Sequence, residues 1–118
     1  MIFFDSVAES ILGQNKQIVL MPKQYIARKE RGGYTIFFNE SLETFFFDTI
    51  SYAFLQEIDG IKNCFQLAKQ VAVRTKLPFL VCCRLLDRYL KTFSVHGFID
   101  NQIANGQEIK IKKTKDFI

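Results

Sequence analysis

The sequence predicts an α+β fold in which a three-stranded antiparallel sheet is followed by three helices. Two patterns predict it: apolar and polar residues alternate between residues 24 and 47, and apolar residues recur at helical spacing from Asp48 onward. The chain has 118 residues, of which 48% are hydrophobic and 24% charged. That length supports one compact core but not a deep, preorganised active site as well, so we expect a binding protein rather than an enzyme.

A short helix is predicted at the N terminus, within an extension that covers residues 1–21. Ser6 and Glu9 have the spacing of a capping box, in which each side chain accepts a hydrogen bond from the other residue's backbone N–H. Val7 and Ile11 then share one face of the helix. Gly13 ends it, because glycine adopts the positive φ found at helix C termini.

Three strands are predicted next, arranged as an antiparallel meander. They cover residues 24–30, 34–39 and 43–47. Arg31-Gly32-Gly33 forms the turn between the first two strands, because glycine adopts the positive φ of a tight turn without steric cost. Glu40-Ser41-Leu42 separates the second strand from the third.

Aromatic side chains occupy both faces of the predicted sheet. In the third strand Phe45 and Phe47 point to the face opposite Phe46, because successive side chains of a strand alternate. A small sheet that buries one face normally shows water a polar second face, so Phe37 and Phe46 require a cover. Either residues 1–21 or a partner would provide it, and the sequence leaves both open.

The three helices are defined by their end residues and by apolar stripes. Asp48 caps the first helix, which ends at Asp59-Gly60, and Asn63 caps the second. Pro78 opens the third, because proline is tolerated in a first turn, and Gly97 ends it. The buried stripe of this third helix consists of Phe79, Cys82, Cys83, Leu86, Leu90 and Phe93.

Residues 100–118 are predicted to form a basic hairpin or tail. Asn105-Gly106 is a strong hairpin signal between apolar stretches at residues 98–103 and 107–111. With four lysines against two acidic residues, positions 101–118 hold half of the net charge of +4. A basic segment of this kind suits nucleic acid or an acidic protein face, but is more often a solvated terminus.

Nothing in the sequence indicates export or a membrane span. The longest apolar runs, Phe79 to Cys83 and Phe45 to Phe47, are far shorter than the roughly 20 residues that cross a bilayer. The first residues have no basic flank, long apolar stretch or cleavage site, so no secretory signal is expected. Three cysteines in such a chain are more consistent with reduced thiols than with disulfides. We therefore expect a cytoplasmic protein without membrane association.

No catalytic constellation is evident in the sequence. Cys64, Cys82, Cys83 and His96 could form a zinc site, but adjacent cysteines on a helix diverge by roughly 100° and no Cys-x-x-Cys spacing is present. Core thiols explain the cysteines better, and His96 is placed at a helix end. We predict no enzyme activity, no metal and no cofactor.

Residues 22–99 show a recognisable order of elements. A proline-led strand comes first, followed by a hairpin, an aromatic third strand, a capped helix ending in Asp-Gly and two helices ending in Gly-hydrophobic. The residues that carry this order are Pro22, Ala27-Arg28, Gly33-Tyr34-Thr35-Ile36, Phe45-Phe46-Phe47-Asp48, Phe54-Leu55, Ile58-Asp59-Gly60, Leu67-Ala68, Val81, Leu86, Leu90 and Gly97-Phe98-Ile99. The order resembles the PqqD-like family, which implies a winged-helix-like fold. Asp48 stands where the family usually has asparagine, and Leu55 where tryptophan is common.

The resemblance implies a precursor-peptide recognition element of the pathways that modify ribosomally made peptides into natural products. Such an element binds the leader of a precursor peptide while a separate maturation enzyme, often a radical SAM enzyme, modifies the core. In the family the leader lies as an extra strand beside the third strand, in the cleft between that strand and the third helix. Carried onto this chain, the peptide-binding residues are Glu43, Thr44, Phe45, Phe46, Phe47, Val81, Arg84, Leu85 and Arg88.

Two arginines of the predicted third helix allow two interpretations. Arg84 and Arg88 are spaced i, i+4 and share a face, which suits an acidic leader whose carboxylates accept charge-assisted hydrogen bonds. An ordinary solvated face, on which Asp87 and Lys91 form an i, i+4 pair, explains them equally well.

A winged helix-turn-helix DNA-binding protein is the alternative function. The third helix would present Arg84, Arg88 and Lys91 to a groove of the duplex, and the basic hairpin would act as the wing. Against this, Asp87 lies among the arginines and the aromatic sheet would have no role in reading DNA. We do not expect nucleic-acid binding, and pairing of strand edges would allow a homodimer in either case.

Overall fold

The computed structural model describes residues 2–100, and the side chains of residues 6–99. It confirms the predicted α+β fold, in which a helix precedes a three-stranded sheet that leads into three helices. The helices are α1 (Ile2–Leu12), α2 (Thr49–Glu57), α3 (Cys64–Thr75) and α4 (Phe79–Val95), with a 3-10 helix at Gly13–Gln17. The strands are β1 (Met21–Pro22), β2 (Tyr25–Glu30), β3 (Gly33–Phe38), β4 (Thr44–Asp48) and β5 (Ile99–Asp100).

The main sheet has the order β2-β3-β4 with antiparallel neighbours, as the meander predicts. Tyr25 lies opposite Phe38, and Ile36 lies between Ala27 on one side and Phe45 on the other. The strand boundaries differ from the predicted ones by a single residue, which is the usual uncertainty of strand ends. Two further short strands, β1 and β5, pair with each other in a separate antiparallel ribbon, a pairing that the sequence did not indicate.

The N-terminal caps of α2 and α3 form at the residues that the sequence indicates, whereas α2 ends at Glu57, two residues before the predicted Asp59-Gly60. The Asp48 carboxylate accepts a hydrogen bond from the Ser51 N–H at 2.8 Å and caps α2. Asn63 and Gln66 form a reciprocal capping box at the start of α3. The core then lies between one face of the sheet and the four helices, and its largest fully buried side chains include Phe54, Phe93 and Leu86.

The N-terminal helix differs from the prediction in its start and in its position. It begins at Ile2, so Ser6 lies inside the helix instead of capping it. Ala8 and Leu12 are its buried residues, whereas Val7 and Ile11 are half-buried. It packs against α4. Residues 6–21, the part of the extension whose side chains are described, therefore do not cover the outer face of the sheet, which was one of the two possibilities that the sequence left open.

The C-terminal prediction is only partly visible. Of the two apolar stretches assigned to a hairpin, the described part is β5, whose Ile99 pairs with Pro22. The Asn105-Gly106 turn and the lysines that follow lie outside the described residues. Within residues 2–100, no helix has the length and apolar character needed to cross a membrane.

Candidate functional site

Strand β4 forms one edge of the main sheet, with no neighbour on its outer side among residues 2–100. The Phe38 N–H donates to the Glu43 carbonyl at 3.1 Å, which fixes the alternation of hydrogen-bonded pairs between β3 and β4. By that alternation Phe45 and Phe47 bond to β3, and the N–H and C=O groups of Thr44 and Phe46 point away from it. The edge therefore offers four backbone groups to another strand.

A groove of about 310 Å³ lies between β4 and α4, directly beside this edge. Its lining residues are Phe45, Phe46, Phe47, Ser51, Arg88, Tyr89, Thr92, Phe93, His96 and Phe98. Phe47, Phe93 and Phe98 form the floor, since none of them is more than 4% exposed. The groove is therefore an apolar trough with polar side chains along its helical wall.

Phe98 is at the centre of this floor because of how α4 ends. The Phe98 N–H donates to the Phe93 carbonyl at 2.8 Å and the Gly97 N–H to the Ser94 carbonyl at 3.3 Å, a Schellman motif with Gly97 at φ 73°. This turn directs the chain back under β4. The Phe98 ring centroid lies 4.6 Å from that of Phe45 and 5.0 Å from that of Phe47.

The helical wall of the groove is polar and partly charged. Arg88, Thr92 and His96 are exposed, and the His96 ring lies 5.7 Å from the Phe45 ring, centroid to centroid. Neither Arg84 nor Arg88 forms an ion pair with a carboxylate among residues 6–99. Burial raises the pKa of the Tyr89 hydroxyl, and the charge of Asp48 raises it further while that of Arg88 lowers it. The Arg88 guanidinium is thus a cation at the rim that has no ion-pair partner among the side chains of residues 6–99.

The structure brings some of the predicted site residues together and leaves others apart. Phe45, Phe46, Phe47 and Arg88 line the groove. Glu43 and Thr44 are exposed at the start of the β4 edge but do not line the groove. Val81, Arg84 and Leu85 lie one to two turns earlier along α4, beyond the end of the groove, with Val81 41% exposed and Leu85 half-buried.

The groove also contains residues that the sequence did not single out. Its unpredicted lining residues are Ser51, Tyr89, Thr92, Phe93, His96 and Phe98. Phe93 was assigned to the buried stripe and His96 to a helix end, but neither was predicted to belong to the peptide-binding site. The Gly97-Phe98 pair was the one available signal, because a glycine that ends a helix turns the next side chain back toward it.

The outer face of the sheet carries three apolar side chains. Ile26 is 63% exposed, Phe46 is 59% exposed and Phe37 is half-buried. None of them lies in the core, and α1 packs elsewhere. Phe46 thus belongs to this face and to the rim of the groove at the same time.

The cysteines are consistent with a structural role. Cys64, Cys82 and Cys83 are free and buried, and burial raises the pKa of the Cys64 thiol to about 12 and that of Cys83 to about 11. Thiols of this kind are poor nucleophiles because the thiolate is the reactive form. The described side chains contain no cluster of three or more histidine, cysteine or acidic residues that could hold a metal ion.

A second cleft, of about 210 Å³, lies between β3, α2 and α3. Tyr34 and Tyr52 stack there with ring centroids 3.9 Å apart, and Arg74 is at its edge. Unlike Arg88, Arg74 is already engaged, since its guanidinium contacts the Glu57 carboxylate at 3.1 Å and the Gln56 side chain. The β4 groove is therefore the stronger candidate site.

Comparisons of this chain with protein-family models, with curated proteins and with solved structures found no match.

Proposed function

We propose that this chain is a non-catalytic recognition element of the PqqD-like kind. It binds the leader of a ribosomally made precursor peptide as an added strand on β4. It then presents the peptide to a maturation enzyme, such as a radical SAM enzyme. The single observation that carries the proposal is the β4 edge, which has no strand neighbour among residues 2–100 and lies beside an aromatic groove.

The physical basis is that edge and groove perform different tasks in peptide recognition. The backbone groups of Thr44 and Phe46 pair with any extended peptide, because every non-proline residue carries the same N–H and C=O. Alternate side chains of the added strand then point into the groove. Phe45, Tyr89 and Phe98 favour apolar groups there, and Arg88 favours a carboxylate.

Presentation requires no chemistry from this chain. Holding the leader raises the effective concentration of the core peptide at the enzyme's active site. This fits the buried thiols, since burial raises the pKa of Cys64 and Cys83 and makes them poor nucleophiles. DNA binding is not carried forward, because α4 packs on α1 and α3 and also forms one wall of the β4 groove.

The experiment titrates the full chain with synthetic candidate leaders taken from short reading frames that flank its gene. At least one should bind with a Kd below ~100 μM, whereas its scrambled version should not. Binding should slow hydrogen exchange at the Thr44 and Phe46 amides. If no flanking peptide binds, or if a bound leader protects neither amide, the proposal is wrong.

Proline substitution separates strand addition from other modes of binding. Phe46→Pro removes an N–H that points away from β3, so it should weaken leader binding at least ~10-fold without breaking the β3–β4 ladder. Lys29→Pro is the matched control, because the Asn39 N–H donates to the Gln24 carbonyl and the same alternation directs the Lys29 N–H outward on β2. Equal affinities of the two variants would contradict docking at β4.

A further inference from the structure

We propose that the outward face of α4 is a docking surface for an acidic amphipathic helix of a partner protein. This face borders the β4 groove, but the inference does not depend on peptide binding there. It rests on the spacing of exposed apolar residues along α4 and on two arginines that have no ion-pair partner among the side chains of residues 6–99.

Five exposed or half-buried residues form a straight stripe along α4. Their positions alternate in steps of four and three residues: Val81, Leu85, Arg88, Thr92 and Val95. Such steps keep side chains on one face of a helix, and two helices that pack along a shared seam use the same spacing. At about 1.5 Å per residue the stripe is about 21 Å long, which matches roughly four turns of a partner helix.

The apolar residues of the stripe are not buried in the core. Val95 is 57% exposed and Val81 is 41% exposed, whereas Leu85 is half-buried. The core residue Leu90 lies on the other side of α4, roughly 160° round the helix from Arg88. The helix therefore has a second, weaker apolar face, with anchors at the spacing that helix-binding surfaces use.

The middle of the stripe is positively charged. Arg84 and Arg88 are exposed, and neither forms an ion pair with a carboxylate among residues 6–99. Asp87 lies roughly 60° round from Arg84, and Lys91 follows it one turn later. With both counted, Phe79–Val95 carries three cations against one carboxylate, a net charge of +2. A carboxylate placed over the stripe is therefore attracted and an ammonium group is repelled.

The carboxylate of Asp48 does not reverse this balance. It keeps its charge while it caps α2, and that charge raises the pKa of Tyr89. Tyr89 lines the groove and lies roughly 100° round α4 from Arg88. Asp48 therefore offsets positive charge mainly inside the groove, because electrostatic energy falls with distance.

These charges distinguish between the possible occupants of the stripe. If two copies paired their α4 helices antiparallel about the middle of the stripe, the two Arg88 guanidinium groups would meet and repel. A DNA duplex would offer phosphates to the arginines but would leave Val81 and Val95 without an apolar partner. A helix with leucines along its seam and glutamates beside them satisfies both, since carboxylates accept charge-assisted hydrogen bonds from arginine.

The test titrates the full, isotope-labelled chain with two synthetic helical peptides of three heptads each. Both peptides carry leucines in alternating steps of four and three, flanked by glutamates in one and by lysines in the other. We expect the glutamate peptide to bind with a Kd below ~500 μM, at least ~5-fold more tightly than the lysine peptide. Binding should shift the amide signals of Val81, Leu85 and Val95. No binding at about 1 mM, equal affinities, or shifts confined to β4 would overturn the inference.

One pair of variants tests the apolar contacts of the stripe. Val95→Ser should weaken binding of the glutamate peptide ~5-fold, because an apolar contact is lost. Val73→Ser is the matched control, since Val73 is 74% exposed but lies on α3, outside the stripe. Equal effects of the two substitutions would show that the peptide does not dock along α4.

A second pair of variants tests the charge of the stripe. Replacing Arg84 and Arg88 together by glutamine should abolish the difference in affinity between the two peptides. Replacing Lys29 and Arg31 by glutamine removes the same amount of charge from β2 and its turn, and should preserve that difference. A preference for the glutamate peptide that survives loss of the two α4 arginines would contradict the inference.

The other occupants give distinct results. If the free chain sediments as a dimer and Val95→Ser restores the monomer, the stripe belongs to a second copy and the inference is overturned. If a DNA duplex of about 20 base pairs displaces the glutamate peptide, the stripe binds nucleic acid and the inference is overturned as well. Phe46→Pro should leave the affinity for the glutamate peptide unchanged, so a failure on α4 does not bear on strand addition at β4.

Discussion

The two edges of the same small sheet are built differently. On β2, three consecutive charged residues occupy the strand, namely Arg28, Lys29 and Glu30, and the Arg28 guanidinium pairs with the Glu30 carboxylate at 2.7 Å. On β4 no charge lies between Glu43 and Asp48, and three phenylalanines take the central positions. Charged edge strands resist pairing with other chains, and uncharged aromatic ones invite it. Of the two edges, β4 is therefore the one that fits the proposed peptide docking.

The edges also differ in how they are anchored. The interior of β2 is exposed on both faces, with Tyr25 half-buried at its start. In β4, Phe47 is buried and its ring contacts the rings of Phe93 and Phe98. A rigid support under β4 keeps its outward backbone groups in place before a peptide arrives, which lowers the entropy cost of docking.

The largest loss of stability is expected from removing the aromatic support under β4. Phe98→Ala should lower the free energy of unfolding by about 3–5 kcal/mol, because it empties the floor that four other phenylalanines contact. Tyr25→Ala, on the β2 side, should cost only about 1–2 kcal/mol since part of its ring is already in water. Guanidinium unfolding curves measure both. Equal losses would show that the two edges are equally anchored.

A smaller loss of stability is expected at Gly33, where β3 begins beside the end of β4. A Cβ on Gly33 would run into the Phe47 carbonyl oxygen and approach the Phe46 ring to 2.7 Å. Gly33→Ala should therefore cost about 1–3 kcal/mol and loosen β4, measured as faster exchange of the Phe45 and Phe47 amides. Gly32→Ala is the control: it has open space but a φ of 81°, so it should cost about 1 kcal/mol without affecting β4. Unchanged exchange in Gly33→Ala would refute this.

The connection into β4 should accept a stabilising change. Leu42 has a φ of 60° and is 72% exposed, whereas the corresponding β2–β3 turn uses Gly32 for its positive φ. Leu42→Gly should raise the free energy of unfolding by up to about 1 kcal/mol, because it relieves a left-handed backbone and removes an apolar group from water. Leu42→Asn should give a gain of the same sign. A loss of stability in both variants would mean that the Leu42 side chain is itself needed.

The smallest effect concerns acid titration on the β2 edge. Hydrogen bonds from Arg28 and Thr35 hold the pKa of the Glu30 carboxyl below its usual range. A lowered folded-state pKa stabilises the fold above the unfolded pKa, and this contribution is lost as pH falls through the folded pKa. The stability difference between wild type and Glu30→Gln should therefore be larger at neutral pH than in acid. A difference that does not change with pH would contradict this.

Much of the fold could be predicted because its signals are local. Caps at Asp48 and Asn63 and the glycine at position 97 are read from residues within one turn of each helix end. The predicted start of α1 at Ser6 was wrong, because the Ser6–Glu9 spacing of a capping box also occurs inside helices. The β1–β5 ribbon joins residues almost 80 positions apart and leaves no periodic signal.

The candidate site was predictable on the strand side and less so on the helix side. Alternation alone separates Phe46 from Phe45 and Phe47, and the exposures agree. The turn of α4 that lies beside β4 is set by the packing of α4 on α1 and α3. No local sequence pattern predicts that position along the helix axis. The expected positions Val81 and Leu85 are consequently displaced toward the helix N terminus from the observed groove residues, such as Tyr89 and Thr92.

The shortness of β4 has a consequence for how long a bound chain stays. Of its five residues, only Thr44 and Phe46 expose both backbone groups outward, because the Asp48 carbonyl accepts from the Ser51 hydroxyl at 3.2 Å, and each backbone hydrogen bond contributes a net ~0.5–1.5 kcal/mol. Main-chain pairing alone is then too weak for a long residence time, so occupancy turns over quickly unless side chains add to it. Under the proposed function, one copy of this protein would release a modified peptide and bind the next without any energy-consuming step.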